Sequence, residues 1–181
     1  MGRRRWRPYG NRGIWYIIHT DGACINNGRP WAQAGFGIFW GDDDHHNVSE
    51  RLCGPQQTNQ RAEAQAVLTA LEQTDGFYDT VEIRTDSIYV VRAVNEWCYK
   101  WESNGWVNAK GLPVANQSIF KEILYFMNNR PGHVYVKHVP GHAGIYENEM
   151  ADELAREGAN MDSEDENQDD SNDSNNGCYY D

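Results

Sequence analysis

No stretch of this chain approaches the ~20 consecutive apolar residues of a membrane span, so no membrane-crossing helix is expected. Cysteines are few and scattered: Cys24, Cys53, Cys98 and Cys178 include no CxxC pair. A chain of 181 residues is too large to need a disulfide scaffold, so reduced thiols in a reducing compartment are expected. Basic residues are also scarce, with 16 Lys and Arg against 27 Asp and Glu, a net charge of −11. Polyanions attract basic faces, so this balance counts mildly against a nucleic-acid partner. There is no internal repeat. What the chain does have is 39% hydrophobic residues with seven Trp and ten Tyr, enough for one folded domain with a sizeable core.

The charge is unevenly spread. Residues 1–13, "MGRRRWRPYGNRG", hold five Arg and no acid. They have the charge of a signal peptide without an apolar region behind it, and lack the Ser or Thr at position 6 that myristoylation requires. A solvated basic arm is the simplest reading, with a transit peptide or nuclear signal as alternatives. Residues 161–181 hold eight acids and no Lys or Arg. The run "DSEDENQDDSNDSNNG" within them has no apolar residue to offset ordering entropy, which predicts a disordered acidic tail. A domain over 14–160 remains. Location is expected to be cytoplasmic or nuclear, with mitochondria an alternative.

Within that domain, "IWYIIHT" (14–20), "AGFGIFW" (34–40) and "NVSERLC" (47–53) read as strands joined by short polar turns, hence antiparallel. "TNQRAEAQAVLTALEQ" (58–73) has one apolar stripe at helical spacing. "TVEIRT" (80–85) reads as a strand, 87–101 and 118–127 as helices, "HVYVKHV" (133–139) as a strand. A last helix is expected over 147–158, stopped by Gly158. The order predicts an α/β fold: a five-stranded mixed sheet, three antiparallel strands then two parallel, flanked by helices.

Four acids stand out by position. Asp21 ends the first strand in "DG", a common turn residue. Asp86 follows the fourth strand at a helix N-cap position. Glu63 borders the core stripe of its helix, where a charge is costly without a partner. Asp152 lies between Ala151 and Leu154, near the buried side of the last helix. If strands one and four are neighbours, Asp21 and Asp86 share one sheet edge, and the helices carrying Glu63 and Asp152 adjoin it. Four carboxylates converging there without Lys or Arg partners would raise each other's pKa. Divalent cations relieve such repulsion. Mg2+ prefers carboxylate, water and phosphate oxygens, and two ions about 4 Å apart form a clamp for phosphoryl displacement.

"TDGAC…NNG", "QTNQRAEAQA", "TDSIYVV", "NGW" and "HVPGHAGIYENEMADELAREG", in this order, resemble a type 1 ribonuclease H over about residues 14–160. The resemblance implies a ribonuclease H fold and endonucleolytic cleavage of the RNA strand of RNA–DNA hybrids. It further implies two Mg2+ ions, with Mn2+ as a substitute, and 5′-phosphate and 3′-hydroxyl products. Carried over, Asp21 bridges both ions, Asp152 completes the site that activates water, and Glu63 and Asp86 serve the second ion. His142, in "PGHAG", matches a mobile histidine that assists product release or proton transfer.

On the same resemblance Asn27, Asn59 and Gln60 read the RNA minor groove. Amide side chains suit that task because they both donate and accept. Cys24, Thr58, Tyr89, Trp97 and Asn116 match positions touching the DNA strand. Gln56 departs from the family, which often has an arginine there, and "WCYKWESNGWVNAKG" is a weakly basic version of the family's protrusion. A monomer with no obligate protein partner is implied. Two alternatives stay open: a catalytically silent hybrid-binding module, and another enzyme of the same fold. The intact acids count against the first, and Asn59 and Gln60 against the second.

Overall fold

The computed structural model describes residues 15–162, so the basic arm and nearly all of the acidic tail lie outside the described residues. Five strands form one sheet: β1 (Trp15–Ile25), β2 (Gln33–Phe39), β3 (Val48–Arg51), β4 (Thr80–Thr85) and β5 (Val134–His138), in the order β3-β2-β1-β4-β5. β1 pairs antiparallel with β2 and parallel with β4, while β2–β3 is antiparallel and β4–β5 parallel. The helices are α1 (Asn59–Gln73), α2 (Ile88–Arg92), α3 (Cys98–Ser103), α4 (Gln117–Asn129) and α5 (Tyr146–Asn160). This is the mixed α/β architecture that the element order predicts.

The core lies where α1 packs onto the sheet and α4 packs onto α1. Ile18, Ile38, Val67, Leu68, Leu71, Ile83, Phe120 and Ile123 are all fully buried there. The opposite side of β1–β3 takes α5 through small residues. A Cβ on Gly35 would lie 2.0 Å from the Ala159 nitrogen, and one on Gly37 2.3 Å from the Ala151 carbonyl. Both glycines let helix and sheet backbones touch, and they alternate with Ala34, Phe36 and Ile38 of the main core.

Three details differ from the sequence reading. β1 does not stop at "DG"; it continues to Ile25 because β2 supplies antiparallel partners as far as Gln33. Asp21 is therefore a mid-strand residue opposite Gly37, two residues past the last β4 partnership at His19. Gly158 does not end α5. It is buried inside the helix, where an added Cβ would meet the Glu50 carbonyl at 2.3 Å, so it serves close packing on β3. The helical stretch expected over 87–101 is interrupted by a π-helical segment, Ala93–Trp97, between α2 and α3. Cys24 and Cys98 are free thiols as expected, but Cys53 is disulfide-bonded.

His19 on β1 is 2% exposed, and its Nδ1 has no hydrogen-bond partner. Burial, with Arg84 assisting against Glu147 and Glu82, lowers its pKa from 6.5 to about 4. The folded chain thus holds a neutral imidazole where the unfolded chain takes up a proton. Stability should fall as pH drops from 6.5 towards 4, by up to about 3 kcal/mol from this group. Urea midpoints at pH 7 and pH 5 check this, since His19→Leu should show a smaller drop than the unsubstituted chain. Equal drops would remove His19 as the cause.

Candidate metal centre and substrate face

Gly22 makes the first close contact of the site. A Cβ there would lie 2.2 Å from the Glu63 nitrogen and 2.6 Å from the Ala62 carbonyl carbon. Only glycine lets the first turn of α1 rest on β1, and that contact brings Glu63 beside the strand carrying Asp21. Thr58 caps α1, its hydroxyl accepting from the Arg61 N–H at 3.3 Å.

Asp21 is 8% exposed, and its Oδ1 accepts from the Gly22 N–H at 2.7 Å. Burial first, then the Asp86 charge, with Asp152 and Glu63 adding, pushes its pKa from 3.8 up to about 8. The Gly22 hydrogen bond opposes this only in part. Asp86 follows directly on β4, beside β1 in the sheet. It is not the helix cap expected from the sequence, because the Ser87 hydroxyl caps α2 by accepting from the Val90 N–H.

Glu63 is half-buried, and burial raises its pKa. Its carboxylate accepts from Asn59 Nδ2 at 2.7 Å and from the Ser87 hydroxyl. Among the described residues, Asp21, Glu63 and Asp86 form no ion pair. Asp152 departs from the expectation, because Arg156 one turn along α5 pairs with it. At (i, i+4) spacing these two side chains meet on one helix face, and the pair leaves the carboxylate half-exposed.

His142 stands in the loop between β5 and α5. It is exposed, with a left-handed φ of +50°, and lines an open groove with Asp152 and Arg156. Its neighbour Gly141 presses on Asp86: a Cβ would meet Asp86 Oδ2 at 2.3 Å. Positions 141 and 142 thus sit at the acidic cluster.

Asn27 and Asn59 adjoin, the Asn27 Oδ1 accepting from the Asn59 N–H at 3.4 Å. Gln60 and Thr58 are exposed beside them. Cys24 is half-buried, its thiol directed at the Gln57 carbonyl at 3.5 Å. Tyr89 and Trp97 pack together with ring centroids 6.2 Å apart, and Tyr89 also meets Phe120 edge-on at 5.6 Å. They belong partly to the core and partly to the surface. Asn116 is buried at the start of α4 with a left-handed φ of +57°.

Arg61 and Ser87 are not among the residues singled out from the sequence. The Arg61 guanidinium, 3% exposed, donates to Gln56 Oε1 at 3.3 Å and to Asn116 Oδ1 at 3.4 Å. It supplies a cation where Gln56 does not. The signal was present, an Arg on the buried stripe of α1 next to Ala62. Ser87 follows Asp86 directly, and its second role, holding Glu63, spans 24 residues and is invisible to local pattern.

The family model for RNase H matches residues 15–160. Ribonuclease H of Schizosaccharomyces pombe is 39% identical over 143 residues, which are 79% of this chain and 52% of that protein. Human ribonuclease H1 is 40% identical over 155 residues, 84% of this chain and 52% of that protein. The chain therefore spans about half the length of these relatives. The solution structure of the PFV RNase H domain superposes with a TM-score of 0.62 at 29% identity, covering 80% of this chain and 93% of that one. LC11-RNase H1 in complex with RNA/DNA hybrid gives a TM-score of 0.55 at 26% identity, covering 79% and 95%. The sheet order, the acidic cluster and these likenesses agree, and the chain belongs to the ribonuclease H family as a type 1 member.

Proposed function

We propose that this chain hydrolyses the RNA strand of RNA–DNA hybrids by a two-metal reaction, leaving 5′-phosphate and 3′-hydroxyl ends. The observation that carries this is Asp21: a buried carboxylate that forms no ion pair among the described residues and feels the charges of Asp86, Asp152 and Glu63. The donor set fits divalent magnesium, since all four groups offer hard carboxylate oxygens and Glu63 is held in place by Asn59 and Ser87. Asp21, Glu63, Asp86 and Asp152 would hold the ions, and Mn2+ would substitute. Divalent ions bound there supply Lewis acidity towards a phosphodiester.

The chain's own residues do the rest. Asp21 faces the reacting phosphate from the sheet, and the backbone at Gly141 fixes Asp86. Exposed on its loop, His142 can carry a proton or escort product away. Asn27, Asn59 and Gln60 meet the RNA minor groove. Thr58, Asn116, Cys24, Tyr89 and Trp97 hold the DNA strand, with Arg61 behind Thr58 and Asn116 as a fixed positive charge. That buried cation supports binding of a polyanion by an acidic chain. LC11-RNase H1, a neighbour in fold, was solved with RNA/DNA hybrid bound, and the proposal takes the same substrate class for this chain.

Cleavage in Mg2+ of a hybrid, but not of duplex RNA or duplex DNA, is the expected result. Cleavage of duplex DNA, or hybrid binding without cleavage, would overturn the proposal. Strand reading has a separate test. Asn59 also donates to Glu63, so its removal would disturb the acids as well. Gln60→Ala with Asn27→Ala is cleaner, and should lower kcat/KM for hybrid about tenfold through lost hydrogen bonds to the 2′-hydroxyl face. An unchanged kcat/KM would show that these amides do not read RNA.

A further inference from the structure

Away from the acidic cluster, the loop between β2 and β3, "GDDDHHN", brings two imidazoles onto one carboxylate. Asp44 Oδ1 lies 2.7 Å from His46 Nδ1 and 3.7 Å from His45 Nδ1. The two rings lie side by side, tilted 40° to one another, with centroids 3.8 Å apart. Among the described residues this is the one group of three or more His, Cys, Asp or Glu ligands whose atoms lie within 4.8 Å of one another. A tetrahedral Zn2+ with bonds of about 2 Å needs ligands about 3.3 Å apart; the two distances from Asp44 Oδ1 fall either side of that spacing, the shorter being a hydrogen bond that an ion would replace.

The loop is braced in this shape. Asn47 Oδ1 accepts from the Trp40 N–H at 2.8 Å, and Asn47 Nδ2 donates to the Gly41 carbonyl at 2.8 Å. Gln73 at the end of α1 donates to the His46 carbonyl at 2.9 Å and accepts from Trp40 Nε1 at 2.8 Å. The His46 ring lies 5.0 Å from the Trp40 ring. Asp44 is kept ionised chiefly by the His46 N–H, which donates to it at 3.0 Å. Asp42 is engaged elsewhere, accepting from the Tyr146 hydroxyl at 2.8 Å, which ties the loop to the start of α5. An ion would therefore find Asp44 and His46 already braced and half-buried, with His45 exposed beside them as the one ligand left to order.

We propose that Asp44, His45 and His46 form a second cation site, selective for an imidazole-preferring divalent ion of the Zn2+ class and separate from the carboxylate cluster. Two nitrogen donors and one carboxylate suit Zn2+, Ni2+ or Cu2+, whereas Mg2+ favours all-oxygen sites. Water would complete the coordination, so the site binds without being closed.

Titration of the full chain with Zn2+ in millimolar Mg2+, which occupies the carboxylate cluster, should show one site of roughly micromolar Kd. Co2+ in place of Zn2+ should give the visible absorption of a nitrogen-ligated ion. His46→Ala and Asp44→Asn should each weaken binding at least about tenfold, and His45→Ala with His46→Ala should abolish it. His142→Ala, outside the loop, should leave it unchanged. Absence of Zn2+ binding below ~100 µM, or equal binding by the double variant, would overturn the proposal. The readout is binding alone, so the result stands whatever the cleavage assay shows.

Discussion

Asp21→Asn should abolish Mg2+-dependent cleavage of hybrid and, in metal-free solution at pH 8, make the protein more stable. Both effects come from one buried carboxylate. In the proposed metal-dependent reaction, losing a metal ligand would remove several kcal/mol of transition-state stabilisation, and each 1.4 kcal/mol is a factor of ten in rate. The stability effect has the opposite sign. Because the folded-state pKa of Asp21 is raised to about 8 from 3.8, the folded chain binds more protons than the unfolded chain between these values. This group's contribution is therefore fully present below pH 3.8 and is lost as pH rises towards 8.

Raising the carboxyl from 3.8 to about 8 corresponds to an upper limit of ~5 kcal/mol. Half-exposed Asp86 and Asp152 admit water to the cluster, so about 2 kcal/mol is the realistic gain for the amide, a rise in Tm of about 4–8 °C. Mg2+ should raise the Tm of the unsubstituted chain more at pH 8 than at pH 6, and that of Asp21→Asn hardly at all. A variant that keeps more than about a tenth of the single-turnover rate sinks the two-metal assignment. A metal-free Tm unchanged at pH 8 would refute the charge argument independently.

Gly22→Ala should be nearly as damaging for a different reason. The added methyl would meet only backbone: the Glu63 nitrogen at 2.2 Å, the Ala62 carbonyl carbon at 2.6 Å and the Glu63 Cα at 2.8 Å. No rotamer change can relieve that. The first turn of α1 must lift from β1, at a cost of about 3 kcal/mol or more, lowering Tm by roughly 6–12 °C. Glu63 moves with it, so Mg2+ should be needed at higher concentration and kcat should fall. Gly132→Ala is the control. Its methyl would clash with the Asp79 carbonyl at 2.4 Å and the Phe77 carbonyl at 2.6 Å, away from the acids. It should lose comparable stability yet keep its Mg2+ dependence at a temperature where it is folded. Identical Mg2+ dependence in both variants would mean that Gly22 does not set the position of Glu63.

Periodicity made the strands, the long helices and their order legible, because alternation and the 3.6-residue stripe are local properties. Where the reading missed the ends of β1 and α5, a distant partner decided. β1 runs on through Asp21 because β2 is there to pair with it, whereas "DG" alone reads as a turn. Gly158 stays helical because the Glu50 backbone lies against it, and the cap of α2 falls on Ser87, one residue later than expected. Asp152 looked unpartnered only because the reading did not pair it with Arg156 four residues on. The acids were singled out by position, each weak alone; the sheet order places Asp21 on β1 and Asp86 just past the end of the neighbouring β4. Arg61 and the Ser87–Glu63 contact could not be read locally, because they join residues 24 to 55 positions apart.

The glycine floor of β2 also bears on how the molecule is made. A growing chain delivers Asp21, Glu63 and Asp86 well before Asp152, which arrives on α5, the last described element to be synthesised. On β2 the face that α5 will cover offers Gly35, Gly37 and Phe39, a strip with one large apolar side chain. Three carboxylates without the fourth repel less. In order of synthesis, then, the acidic cluster is completed last, by the same helix that covers the glycine floor of β2.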